Sequence, residues 1–187
     1  MESKTLILVV ASLFSAAIYG PALADKGSDG RFELNLRGSG DMYMDVVPDI
    51  DGDGVDDPAI CFDTDLIDLK TNRVIGTATD CLSNVTPIGS GLGLIGTTYF
   101  HLPQGTLITR GKTTVQPVLH ETVSASGQTF THITGAAGSG NAIIGGDGRF
   151  ASVTGTSRLS GMVNMENFSG NVGEPIVFDC LFVIDLD

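Results

Sequence analysis

The sequence predicts an all-β protein, and three observations carry that expectation. It holds 25 glycines and no tryptophan among 187 residues, with threonine and valine frequent throughout. Apolar residues recur at period two far more often than at the helical period. Gly, Pro, Asn and Ser clusters interrupt the chain at short intervals, each supplying turn chemistry. Strands so numerous and so closely spaced imply a sandwich or a closed barrel.

The candidate strands follow in order. Residues 31–37 alternate, placing Glu33 and Asn35 on one face and Leu34 and Leu36 on the other. Residues 42–47, 59–69 and 73–84 read as the next strands, the last two flanking a Lys70-Thr71-Asn72 turn. Cys61 and Cys81 are equidistant from Thr71, so a hairpin there would set them nearly opposite one another. That pairing is favoured as a disulfide, with Cys180 as a competitor on a final strand. Further strands are expected at 91–102, 105–119, 128–134, 149–166 and 175–185. In the last, Phe178, Cys180, Phe182 and Ile184 alternate with a mixed set, so both faces would be partly covered.

Residues 1–24 read as an export signal. Lys4 precedes an apolar core from Leu6 to Ile18, and Ala22-Leu23-Ala24 has the small-x-small form of a cleavage site. The expected mature chain, 25–187, is one domain and secreted or periplasmic. Its acidity, with formal charge -12 and pI near 4.4, argues against nucleic acid or anionic membranes as partners.

Ten of the 22 acidic residues lie between Asp41 and Asp68, an interval without Lys or Arg. So much like charge in one segment is costly unless a cation neutralises part of it. Within it, Asp49-Ile50-Asp51-Gly52-Asp53-Gly54-Val55-Asp56-Asp57 has the spacing of a calcium loop. Asp49, Asp51, Asp53 and Asp57 would offer carboxylates and Val55 its carbonyl, with Gly54 at the sharp turn. It is not an EF-hand, because Ile60 stands where the last Glu belongs and Pro48 and Pro58 deny the flanks a helix. Asp63 and Asp65 share a strand face and either extend this site or are solvated.

Other chemistries find little support. His101, His120 and His132 have no spacing that gathers them around zinc. No Gly-x-Ser-x-Gly elbow is present, and the Gly-rich run near residue 146 is followed by no helix pattern that would make it a phosphate loop. No organic cofactor is expected. Asn84-Val85-Thr86 and Asn167-Phe168-Ser169 are formal glycosylation sequons.

The run Ala142-Ile143-Ile144-Gly145-Gly146-Asp147-Gly148-Arg149-Phe150, continuing to Val153, Gly155 and Leu159, is physically a strand, a glycine turn and a second strand. It resembles the A-I-x-G-G-x-G-x-F-x-x-V-x-G signature shared by allene oxide cyclases and plant dirigent proteins. Ile75-Gly76 followed by Cys81, and the stretch from Phe178 to Leu186, resemble the second and final strands of the cyclases. The resemblance implies an eight-stranded antiparallel β-barrel, calycin-like, with an apolar cavity at one end. Glu33-Leu34-Asn35 resembles the Glu-x-Asn of the cyclases' first strand. By that likeness Glu33 and Asn35 are the expected catalytic pair, Glu33 stabilising charge and Asn35 holding a water, while Cys81 would line the pocket. The acidic loop departs from both families. The function expected is binding of an apolar small molecule, with cofactor-free cyclisation (isomerase-type) or templated coupling as the reaction. The alternative is a calcium-stabilised extracellular scaffold or adhesion barrel without catalysis; a homo-oligomer suits either.

Overall fold

A computed structural model describes residues 30–138, 141–166 and 168–187. The export signal and Asn167 of the second sequon lie outside the described residues. Among the described residues ten strands form: β1 (Arg31–Asp41), β2 (Tyr43–Val47), β3 (Asp57–Asp68), β4 (Arg73–Ile88), β5 (Gly91–Leu102), β6 (Gly105–Val123), β7 (Thr129–Ala136), β8 (Ala142–Gly146), β9 (Gly155–Asn164) and β10 (Pro175–Leu186). All pairings are antiparallel, in the order β1-β10-β9-β7-β6-β5-β4-β3-β2. Pairing of β1 with β3, from Leu34 opposite Asp68 to Arg37 opposite Asp65, closes the ring. The result is an eight-stranded antiparallel barrel with β2 and β8 as additional strands. Closure leaves the eight strands without an open edge to template further pairing.

One extra strand patches the wall and the other thickens it. β6 is long enough to pair with β7 over one half and with β8 over the other, and β9 does the same. β7 and β8 thus share one place in the ring. β2 continues the path of β1 along the outer half of β3, from Tyr43 opposite Cys61 to Val47 opposite Asp57.

The segment 149–166, expected as one strand, is broken. Gly148 adopts φ +51°, and residues Gly148–Phe150 make a single 3-10 turn before β9 starts at Gly155. Phe150 is what the break serves: it turns inward, fully buried, and meets the Phe32 ring edge-on with centroids 6.1 Å apart. Phe100 and Phe182 pair likewise at 5.1 Å. These rings, with Leu107 and Ile184, fill one half of the barrel. Gly161 faces Cys180, and a Cβ there would collide with the thiol, so this glycine lets β9 and β10 pack closely.

A second, smaller cluster lies on the outer surface: Val47, Ala59, Cys61 and Cys81, with Tyr43, Ile50 and Tyr99 packed against it. Cys61 and Cys81 are directly opposite in the β3–β4 register and are joined by a disulfide, while Cys180 is a buried free thiol. β2 and the acidic loop cover this patch, which explains why the outward faces of β3 and β4 are not uniformly polar.

A candidate ligand cavity with one buried carboxyl

Three residues singled out in the sequence stand away from the barrel interior. Glu33 is exposed, because the inward parity of β1 belongs to Phe32, Leu34 and Leu36. The expectation that Glu33 enters the pocket is therefore corrected by the packing: three large apolar side chains outweigh one carboxylate that would have to be desolvated. Asn35 shares the outward parity. It is buried by its neighbours, and its Nδ2 donates to Asp179 Oδ1 at 2.9 Å, while Arg37 Nε lies 3.2 Å from Asp179 Oδ2. Cys81 is likewise on the outer face, consumed by its disulfide, and does not line the cavity.

The cavity occupies the half of the barrel that the phenylalanine cluster leaves unfilled. It is narrow, with a cavity volume of about 40 Å³, and most of the space within its lining opens to solvent at the mouth. Leu82, Leu94, Val115, Val163, Met165, Ile176, Phe178 and Phe182 give it apolar lining. Polar side chains interleave with these on the same strands: Asp80, Thr98, Thr109, Thr113, Thr134 and Ser157, every one buried. Period two produces this arrangement, because Ala78, Asp80 and Leu82 on β4, and Leu94, Gly96 and Thr98 on β5, all point inward.

Asp80 is the residue that sequence reasoning missed. It is 4% exposed, and its Oδ1 accepts a hydrogen bond of 2.6 Å from the Thr98 hydroxyl. Burial pushes its carboxyl up to about 7, with the Thr98 hydrogen bond pulling modestly the other way. A carboxyl that holds its proton near neutral pH inside an apolar cavity can donate or accept a proton under ordinary conditions. The available signal was an acid at the apolar parity of a strand, between Ala78 and Leu82. The outward parity of the same strand carries Thr79, Cys81 and Ser83, which disguised which face was inner.

Cys180, also inside, is driven well above the usual thiol range by burial first and then by the nearby Asp80 and Asp179 charges. Its Sγ donates weakly to the Met162 carbonyl at 3.7 Å. A neutral, fully buried thiol is an inert hydrophobe here.

The acidic loop folds into a compact turn outside the barrel. Asp49 accepts from Gly52 N–H at 2.6 Å and from Gly54 N–H at 2.7 Å, bonds that hold its carboxyl below the usual range. Gly52 and Gly54 both take positive φ, +86° and +87°, which lets the backbone curl around Asp49. Asp57 Oδ2 accepts from Ile50 N–H at 2.6 Å. Carboxylate oxygens of Asp49, Asp51 and Asp57 all lie within 4.8 Å of one another. Asp53 stands apart from that group, its Oδ1 taking the Val55 N–H at 2.8 Å, and Val55 is exposed. Arg110 of β6 reaches out to hold the loop: its guanidinium donates to the carbonyls of Pro48 and Asp49, the latter at 2.8 Å, and Nε donates to Thr97 at 3.2 Å.

Asp63, Asp65 and the histidines do not join this group. Asp63 Oδ1 accepts from Thr79 at 2.6 Å and from Tyr43 at 3.2 Å, and Thr79 also meets His101 Nε2 at 3.2 Å. His132 meets Thr131 on β7, and burial lowers its pKa. The three histidines form no shared cluster among the described residues. No family model and no curated protein matches this chain.

Proposed function

We propose that this chain is an exported barrel that takes an apolar small molecule into its half-filled interior and steers it, as an isomerase-type cyclase or a dirigent-like template. The observation that carries this reading is Asp80, a buried carboxyl lining the cavity. A lining that mixes apolar and buried polar side chains suits an amphipathic ligand. Its hydrocarbon contacts the leucine, valine and methionine side chains, and its polar group meets Asp80 and the threonines. Confinement removes the entropy of finding a folded conformer, and Asp80 supplies the acid or base that a rearranging oxygen function needs. Asp80 takes over the role that the resemblance to the cyclases gave to Glu33. The closed eight-stranded barrel supports that kinship, and the acidic loop remains a departure from it.

Calcium belongs to this reading as a structural ion, held by Asp49, Asp51 and Asp57. Three carboxylates so close together repel one another in the absence of a cation. The Cys61–Cys81 disulfide agrees with an oxidising compartment. A non-enzymatic scaffold is the second reading, favoured by the apolar patch and Arg110 clamp that bind the loop to the barrel wall.

The test is binding of 2-methylnaphthalene and turnover of phenolic radicals and of fatty-acid epoxides supplied as their uncharged methyl esters. Val115→Trp, which fills the cavity, should abolish saturable binding. If no probe binds saturably and no substrate turns over, the scaffold reading replaces this one.

A further inference from the structure

The chemistry of the polar lining narrows the class of ligand, and the narrowing rests on the cavity reading above. Asp80 Oδ1 is engaged by Thr98, whereas Oδ2 has no protein partner among the described residues. The residues around it decide what it can be. On β3 the inward neighbours are Phe62 and Thr64; on β5, Thr98; on β6, Thr109 and Thr113; on β10, Cys180. Of these only the Cys180 thiol titrates, and it stays neutral. Arg110 borders the cavity, but its guanidinium donates to the loop carbonyls of Pro48 and Asp49 and to Thr97. No cation therefore faces Asp80 from the described residues.

We propose that the cavity selects uncharged apolar molecules that bring a hydrogen-bond-accepting oxygen, such as a ketone carbonyl, to Asp80, and that it refuses carboxylates. With Oδ1 occupied, a proton on Oδ2 makes Asp80 a donor aimed at the ligand. The threonine hydroxyls can donate or accept, as can the Asn141 amide, whose buried Oδ1 has no partner among the described residues, so they tolerate either kind of polar group, and Asp80 is the acidic group that sets the preference. A carboxylate would have to be desolvated beside a carboxyl with no cation to offset it. The pH dependence follows. Asp80 loses its proton as pH rises through about 7 and turns from donor to acceptor, so ketone binding weakens on the alkaline side.

Three probes with one ring system test this on the intact protein by calorimetry: 2-acetonaphthone, 2-naphthoate and 2-methylnaphthalene. The ketone should bind at pH 5.5, weaken by about thirtyfold at pH 8.5 as the protonated fraction falls, and outbind the naphthoate at both. Methylnaphthalene should bind equally at both pH values. Asp80→Asn keeps a donor without a titration, so its ketone affinity should be independent of pH and its rejection of naphthoate relaxed. Ketone binding that ignores pH in the wild type, or naphthoate binding as tightly as the ketone, overturns the inference while leaving the cavity standing. Failure of all three probes, methylnaphthalene included, removes the cavity reading itself. The wild-type comparison is decisive even if the variant fails to fold.

Discussion

Replacing Asp80 by Asn should change the pH dependence of stability in a calculable way. In the folded protein the carboxyl titrates at about 7, whereas in the unfolded chain it returns to roughly 4. The folded state therefore holds the proton between those limits while the unfolded state releases it. Stability derived from this group is complete below about pH 4 and is lost as pH rises toward 7, after which the loss is constant. Integrated from pH 4.5 to 8, the loss is about 3 kcal/mol at 1.36 kcal/mol per pH unit. Asn cannot ionise, and its carbonyl oxygen can still accept the Thr98 hydroxyl, so the variant lacks this slope. Asp49, Glu174 and Asp185, whose carboxyls are held low by hydrogen bonds, lose stability at the acid end instead. They do so equally in both proteins, and the difference between the two isolates Asp80. Urea unfolding at half-unit pH steps, with calcium fixed, measures it. The wild type should fall relative to Asp80→Asn by about 3 kcal/mol across that window. A difference independent of pH would mean that Asp80 is solvated in the folded state, and the cavity argument would fail with it.

Calcium should raise the melting temperature and chelator lower it, and Asp51→Ala should remove that response while leaving the barrel folded; indifference of the wild type to both reagents refutes the metal reading. Arg110→Ala should weaken the calcium response without altering cavity probe binding, because the guanidinium holds the loop from outside. Reduction of Cys61–Cys81, 20 residues apart in sequence, should lower stability by about 3 kcal/mol in urea unfolding, whether or not calcium is present. Glu33→Gln should leave probe affinity and turnover unchanged, since the side chain lies outside the barrel; a loss of either would show that it reaches the ligand.

The strands were largely legible, because period-two alternation and turn chemistry are local properties. β8 and the turn after it were legible as a strand followed by glycines, but the break before Gly155 was not placed. What breaks the strand is Phe150 turning inward to meet Phe32, a contact across 118 residues that no local pattern reveals. Glu33 and Cys81 were misplaced for a related reason. Alternation separates two faces but does not say which is inner, and where the outer face is itself covered, polarity ceases to distinguish them. On β4 the outward Cys81 lies under Tyr43, Tyr99 and Ile50, so it is as buried as a core residue. The inward Asp80 was passed over because acids are usually read as solvent-facing.

The two acidic features of this chain are opposites in physical terms, and that contrast assigns their roles. In the loop, carboxylates sit in water at the surface, where backbone N–H groups hold Asp49 in its charged form. Concentrated negative charge there is a demand for a cation. Inside the barrel a lone carboxyl is stripped of water and given a single hydroxyl, and its charged form is the one disfavoured. Dissolved calcium therefore has a reason to occupy the first and none to enter the second. Arg110 enforces the separation: its side chain satisfies carbonyls of the loop, and its backbone neighbours Thr109 and Gly111 line the cavity. Metal at the loop would stiffen the β5–β6 wall without adding charge to the interior. On the proposed reading, chemistry at Asp80 would run on a proton and calcium at the loop would stabilise the fold from outside the cavity.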